Sequence, residues 1–381
     1  MDCPATSIDS GNNFGDTLAT WDTARAVLLS LAFVLLATTV LLESFLLPSR
    51  RKTRSGAGRS LEQELLTHVV ITGGSSGIGL SIARECIERG ARVVTLLARN
   101  PEKLAAAKKE LEALSSAVSG ASEGKKQRCA IEVVAVDVSD QPGIVRAARD
   151  VCTSQSHPVP TSLLNVAGTS SSAAFVDTDY SEFRRLMDIN YMGTAYATRA
   201  FLPYMLEDSG GIRPRAIVFT SSQAGQLGIY GYTAYSASKF ALRGLAEALH
   251  MELAPRNVSV QVVFPPDTDT PGFEIENLDK PAVTRVISET SGLFSPEAVA
   301  KALLDSMAAK RPAFGITIGL DGFMLGALTA GMSPCVDGLG ALYQIFLAGL
   351  FRFVSLFYLW DFRRTVARML VEEEQKKEKN E

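Results

Sequence analysis

The stretch YTAYSASKF, residues 232–240, sets a phenol and an ammonium four positions apart, at Tyr235 and Lys239. On a helix, positions i and i+4 share one face, so the two polar tips meet on one turn. A free phenol titrates near 10 and is a poor acid–base partner at neutral pH. An ammonium about 5 Å away favours the phenolate by about 3 kcal/mol at an effective dielectric near 20, which is roughly two pKa units. A phenol tuned this way can donate a proton to a ketone oxygen as hydride reaches the carbon, and work in reverse for oxidation. Alone, a Tyr-x-x-x-Lys pair is common by chance and reads as an exposed helical pair. Ser222 changes that reading. It lies thirteen residues before Tyr235, at the end of the strand-like AIVFTSS, where a hydroxyl can hold a substrate carbonyl. Ser221 is one position off, on the opposite strand face, so Ser222 is preferred to Ser221. Asn190, in MDINYMGTA, can anchor a water that relays protons to Lys239.

Hydride needs a carrier, and TGGSSGIG (Thr72 to Gly79) has the form of a carrier's phosphate loop. It follows an apolar strand and opens a helix. Gly73, Gly77 and Gly79 allow the bend and the close approach of a pyrophosphate, with Ser75, Ser76 and Ile78 in the same turn. The helix start supplies free N–H groups and a positive dipole end. About twenty residues on, an NAD site places an acid to accept from the adenosine 2′-hydroxyl. Here Arg99 stands in that region, with Lys103 a turn later. A guanidinium plus an ammonium suits a 2′-phosphate and points to NADPH over NADH. Asp137, ending the third strand, can accept from the adenine amino group. Asn165 opens NVAG, where the backbone can pass close to the ribose. Lys239 can also bind the ribose hydroxyls, beside Tyr235.

The elements that position these groups read as strand, Gly-rich turn, helix and strand from His68 onward. HVVIT, RVVTLLAR, IEVVAVDVS, TSLLNVAG, RAIVFTSS and VSVQVVFPP are six strand candidates, and FGITIGL (314–320) is a possible seventh. LSIARECIERG and PEKLAAAKKELEAL are helices, and SSAVSGASEGKKQ is a polar loop. Strands that are apolar throughout and alternate with helices predict an α/β fold with a doubly wound parallel sheet covered on both faces. The catalytic, NADPH-binding domain is assigned to 67–320.

The chain has 381 residues, 46 % of them apolar and 21 % charged, with a net charge of −3. That supports a packed core and gives no nucleic-acid footprint. Five cysteines without a C-x-x-C pair read as reduced thiols, neither a disulfide framework nor a zinc site. The three histidines leave little for a metal site, and none is expected. Residues 1–24 are polar and acidic. AVLLSLAFVLLATTVLL lies within a predicted transmembrane anchor, 25–47, followed by a basic linker, 48–66, that begins near RRKTR. By the positive-inside rule the linker is cytosolic and the short N-terminus lumenal. Residues 321–362 are very apolar. They read either as helices inserted in a membrane or as a pair covering substrate or forming a dimer. Residues 363–381 form a charged tail whose KEKNE end fits a lysine pattern read by retrieval receptors of endoplasmic-reticulum membrane proteins.

Together, the glycine turn, NVAG, Asn190, Ser222 and YSASK are similar to the short-chain dehydrogenase/reductases, over about 68–320. The resemblance implies a Rossmann-type fold, an active site on Ser222, Tyr235 and Lys239, and a homo-oligomer, commonly a dimer. One departure stands out: the family's Pro-Gly after the sixth strand is here Pro265-Pro266, in PPDTDTPG. Thr268 and Thr270 can still reach the carboxamide and phosphates. The stretches LLARNPEKL, SSQAGQLGIYGYTAYSASKFALRGLAEAL and PPDTDTPGF narrow the resemblance to the branch that reduces long-chain sphingoid ketones with NADPH. That branch works at the endoplasmic-reticulum membrane with its catalytic domain facing the cytosol. The alternatives are a membrane-anchored hydroxysteroid or other lipid-ketone dehydrogenase of the same fold, and a catalytically silent NADPH-binding sensor or scaffold.

Overall fold

The computed structural model describes residues 60–120, 128–210, 212–335 and 338–380. The predicted anchor, the residues before it and most of the basic linker lie outside the described residues. The linker's last residues form α1 (Leu61–Leu65), started by a capping box in which Ser60 and Gln63 exchange bonds of 3.2 Å. Leu65 and Leu66 reach the core.

From there the alternation runs as the apolar pattern predicts. Strand β1 (His68–Thr72) leads to α2 (Gly77–Glu88), β2 (Val93–Ala98), α3 (Pro101–Gly120), β3 (Ala130–Ala135), α4 (Gln141–Cys152) and β4 (Ser162–Asn165). Next come α5 (Tyr180–Leu186), a π-helical turn (Met187–Met192), α6 (Gly193–Ser209), β5 (Arg215–Thr220), α7 (Thr233–Leu253) and β6 (Val258–Phe264). Helices α8 (Pro271–Leu278), α9 (Ala282–Ser288) and α10 (Pro296–Ala308) precede β7 (Gly315–Thr317), α11 (Gly319–Leu328) and α12 (Gly338–Asn380).

The seven strands are all parallel, in the order β3-β2-β1-β4-β5-β6-β7. Val70 pairs with Thr95 on one side and Leu163 on the other, so the strand order turns outward in both directions from β1 and β4. Such a reversal opens a crevice at the carboxyl ends of the strands. One core packs α2, α3 and α10 on one face of the sheet; the other packs α4, α6 and α7 on the opposite face.

Two boundaries differ from the sequence reading. Helix α3 continues through SSAVSG, which reads as loop because of its serines. Ser115 is buried and exchanges bonds of 3.1 and 2.9 Å with the backbone of Cys129, while Ser116 and Ser119 donate to carbonyls four residues back. The hydroxyls are satisfied within the helix and its neighbour. Helix α12 crosses the boundary set at 363, so the apolar segment and the start of the charged tail are one helix.

Candidate active site

Strand β5 delivers one half of the site and α7 the other. Ser222 follows β5 as the cap of a short turn; its Oγ accepts from the backbone of Ala224 at 3.1 Å, and its hydroxyl acts on the Tyr235 phenol from the same cavity. Ser221 Oγ instead donates to the carbonyl of Lys239 at 2.9 Å and fastens β5 to α7. Lys239 is 5 % exposed; its Nζ donates to the Thr220 carbonyl at 2.9 Å and sits 5.8 Å from the centre of the Tyr235 ring.

The electrostatics run against the simple pair argument. Burial pushes the Tyr235 phenol up, and the Glu276 carboxylate pushes it further; the Ser222 bond pulls it back only in part. Lys239 is itself lowered to about 8 by burial. The expected net lowering of Tyr235 by Lys239 is therefore corrected for the ligand-free protein. Desolvation acts on both groups, and the ammonium is directed at a carbonyl. Tyr235 stands ready as an acid, the form that reduction requires.

Asn190 is fully buried on the π-helical turn. Its Oδ1 accepts from the Thr169 N–H at 2.8 Å, and its Nδ2 donates to Thr169 O and Ser238 Oγ, each at 2.9 Å. It ties the loop after β4 to α7. A Cβ at Gly168 would lie 3.1 Å from Lys239 Nζ and 3.2 Å from Asn190 Oδ1, so the two side chains meet over that glycine.

At the other end, Gly73 and Gly77 have φ of +70° and +52°, and a Cβ at Gly79 would lie 2.4 Å from the Gly73 carbonyl oxygen. The turn can only be made of glycine at these points. Ser76 caps α2 without a side-chain hydrogen bond, which leaves the helix's first N–H groups facing outward past half-buried Ser75, Ser76 and Ile78. Asn165 is 2 % exposed; its Nδ2 donates to Thr198 and its Oδ1 has no donor among the described residues. Arg99 and Asp137 come together at 3.7 Å and line a cavity of about 420 Å³, with Asp137 also accepting from Ser139. Lys103 is exposed on the first turn of α3. These residues fit a dinucleotide that carries a 2′-phosphate.

The loop after β6 closes the crevice. Thr268 donates to the Pro266 carbonyl at 2.9 Å, and Thr270 caps α8 through the Phe273 N–H at 3.2 Å. Both hydroxyls are thus engaged, yet both residues line the main cavity, and Thr270 packs over Gly77. That cavity, about 700 Å³, holds Ser222, Tyr235 and Lys239 at one end. The α11–α12 pair adds Met324, Leu325, Leu328, Tyr358, Leu359 and Phe362 to its lining, with Asp321, Arg352 and Ser355 among them. The pair is joined by Phe323, whose ring lies 5.0 Å from Tyr343 and 5.9 Å from Phe351. The pair thus contributes to the cavity lining, while much of α12, including Phe346, Phe353 and Trp360, is exposed. Gly338–Glu372 is also long and apolar enough to cross a membrane, by length and composition.

A family model described as short chain dehydrogenase matches residues 67–280. The chain belongs to the short-chain dehydrogenase family. It is 47 % identical to a 3-dehydrosphinganine reductase of Danio rerio, over 81 % of this chain and 88 % of that one. It is 48 % identical to a 3-ketodihydrosphingosine reductase of Bos taurus, over 80 % and 87 %. A crystal structure of a short-chain dehydrogenase from Streptomyces avermitilis superposes with a TM-score of 0.54 at 27 % identity, over 75 % of this chain and 97 % of that one.

Within this family frame, the acidic wall of the site is what sequence reasoning missed. Tyr232, Asp267, Glu276 and Lys280 cluster beside Tyr235. The Tyr232 ring lies 5.4 Å from that of Tyr235, and its hydroxyl donates to Glu276. The signals are faint ones: Tyr232 stands three residues before Tyr235, as the cap of α7, and Glu276 four residues before Lys280, which lies just past the end of α8.

Proposed function

We propose that the chain is an NADPH-dependent reductase of 3-ketodihydrosphingosine, forming dihydrosphingosine. The observation that carries this reading is that Ser222, Tyr235 and buried Lys239 line one cavity together with a largely apolar face of α11 and α12. The cavity's volume lies in the range of small-molecule sites, and the amphipathic lining suits a polar ketone on an alkyl chain. The identity to the two reductases supports the same substrate.

NADPH, when bound, supplies the hydride. Arg99 and Lys103 hold its 2′-phosphate, and the turn with Gly73, Ser75, Ser76, Gly77, Ile78 and Gly79 takes the pyrophosphate. Asp137 and Asn165 serve the adenosine side, and Thr268 and Thr270 the nicotinamide side. Ser222 holds the ketone oxygen, and Tyr235 donates the proton that makes the alcohol. Lys239 binds ribose hydroxyls and favours the phenolate left behind. Asn190 keeps the Thr169 loop in place beside Lys239 and anchors the water that resupplies the proton. The protein acts as a homo-oligomer at the endoplasmic-reticulum membrane, with this site facing the cytosol. The apolar α12 and the segment 25–47 favour that location, since the substrate is itself a membrane lipid.

The test is NADPH oxidation at 340 nm by purified protein with 3-ketodihydrosphingosine in detergent, alongside NADH, a ketosteroid and Tyr235→Phe. Turnover that prefers NADPH and falls about 10²–10⁴-fold in the variant is the expected result. Turnover of the steroid alone would keep the chemistry and replace the substrate. Retained NADPH binding with neither ketone reduced would favour the sensor reading.

A further inference from the structure

The wall of the cavity beside Tyr235 carries more negative charge than it neutralises. Glu276 is the more enclosed carboxylate, with 10 % of its side chain exposed, and its Oε1 is shared by Lys280 Nζ, 2.9 Å away, and the Tyr232 hydroxyl, which donates to it. Lys280 is 1 % exposed at its side chain and is also held by the faces of Phe273, at 4.5 Å, and Tyr232, at 5.8 Å. One buried ammonium therefore faces two carboxylates. The second, Asp267, stands 4.0 Å from Lys280 and keeps 28 % of its side chain exposed on the cavity wall. Lys280 is the one ion-pair partner of its carboxylate among the described residues, which leaves acceptor capacity for a ligand.

Burial raises Asp267 to about 6, so it is ionised at neutral pH. Its field and that of Glu276 both reach the Tyr235 hydroxyl. A second, independent acceptor lies in the same cavity. Gln226 is 6 % exposed and donates to Thr329 Oγ1 at 3.2 Å, while its Oε1 accepts from no described residue. A buried acceptor left open is costly unless a ligand fills it. A carboxylate on one wall, an open amide acceptor tied to the end of α11, and the largely apolar α11–α12 lining together match a ligand with a cationic donor head and an alkyl tail.

We propose that Asp267 binds the substrate's ammonium group and makes the enzyme selective for 2-amino ketones over ketones that lack the amine. The inference rests on the proposed reductase reading and deepens it. In 3-ketodihydrosphingosine the amine is on the carbon next to the ketone. With the ketone oxygen at Ser222 and Tyr235, the ammonium falls on the wall that Asp267 forms. A charge-assisted contact there orients the ketone as well as binding it.

The experiment compares kcat/KM for 3-ketodihydrosphingosine and for its desamino analogue, 1-hydroxyoctadecan-3-one, in wild type, Asp267→Asn and Asp267→Glu. NADPH binding is followed by fluorescence in each. Wild type should prefer the aminated ketone by at least about ten-fold, the worth of one modest charged contact. Asp267→Asn should collapse that ratio at least ten-fold, with NADPH binding retained, and Asp267→Glu should restore part of it. Equal losses on both ketones, an unchanged ratio, or a wild type that does not discriminate would overturn the assignment while leaving the reductase reading intact. If Asp267→Asn does not fold, the wild-type ratio decides. Failure of the wild type on the aminated ketone would overturn both.

Discussion

At the nucleotide end of the cavity, the phosphate turn lies within eight consecutive residues, Thr72 to Gly79, and the backbone does the recognising. At the substrate end, the working groups come from positions as far apart as 222, 235, 267, 276, 324 and 358, and side chains do the recognising. The first end is rigid by exclusion: at Gly73 and Gly79 a Cβ would meet backbone closer than 3.0 Å. The second is held by a few long-range polar ties and an apolar roof. Arg243, two turns beyond Tyr235, donates to the Thr329 and Ala330 carbonyls and to Ser333 Oγ, pinning the α11–α12 connection to the catalytic helix. Local backbone geometry thus shapes the glycine turn, and tertiary contacts shape the other end of the cavity.

Substitutions at the two ends should separate along that line. The largest effect belongs to the shared centre: Lys239→Met should lower kcat by about 10²-fold or more, read by steady-state NADPH oxidation. In the wild type, Lys239 is charged below its value of about 8 and neutral above it. Reduction should therefore decline as pH rises through about 8, checked by a kcat/KM profile across that value. Next comes Gly79→Val, whose Cβ would strike the Gly73 carbonyl. It should destabilise the fold by roughly 1–3 kcal/mol and abolish NADPH binding, measured by thermal shift with and without NADPH. Arg99→Ala should raise KM for NADPH roughly ten-fold, the loss of about one charged contact, and leave KM for NADH unchanged. The smallest effect is expected for Arg243→Ala, which should raise KM for the long-chain ketone a few-fold with little change in NADPH binding. A drop in NADPH affinity there would break the proposed division between the two ends.

Much of this molecule is legible in its amino-acid sequence. The parallel sheet follows from apolar strands alternating with helices, the phosphate turn from glycine spacing, and the Tyr235–Lys239–Ser222 group from two local motifs. The prolongation of α3 is not legible there, because its serines are satisfied by Cys129 and by the helix's own carbonyls. Neither is the upward shift of Tyr235, because spacing reports how near an ammonium is but not how much water is lost around both groups. The Asp267–Glu276–Lys280 cluster escapes for the same reason. Its residues are ordinary surface types in sequence, and only the packing of α8 and the loop after β6 against α7 buries them.

The amino-acid sequence by itself determined the alternation of strands and helices, the glycine-lined turn and the spacing of Tyr235 and Lys239. Each depends on interactions between residues close in the chain or on a conformation only one residue type tolerates. Tertiary structure decided which serine reaches Tyr235, what the C-terminal helices cover and where uncompensated charge faces the cavity. Those outcomes depend on desolvation and on contacts between elements that are far apart along the chain.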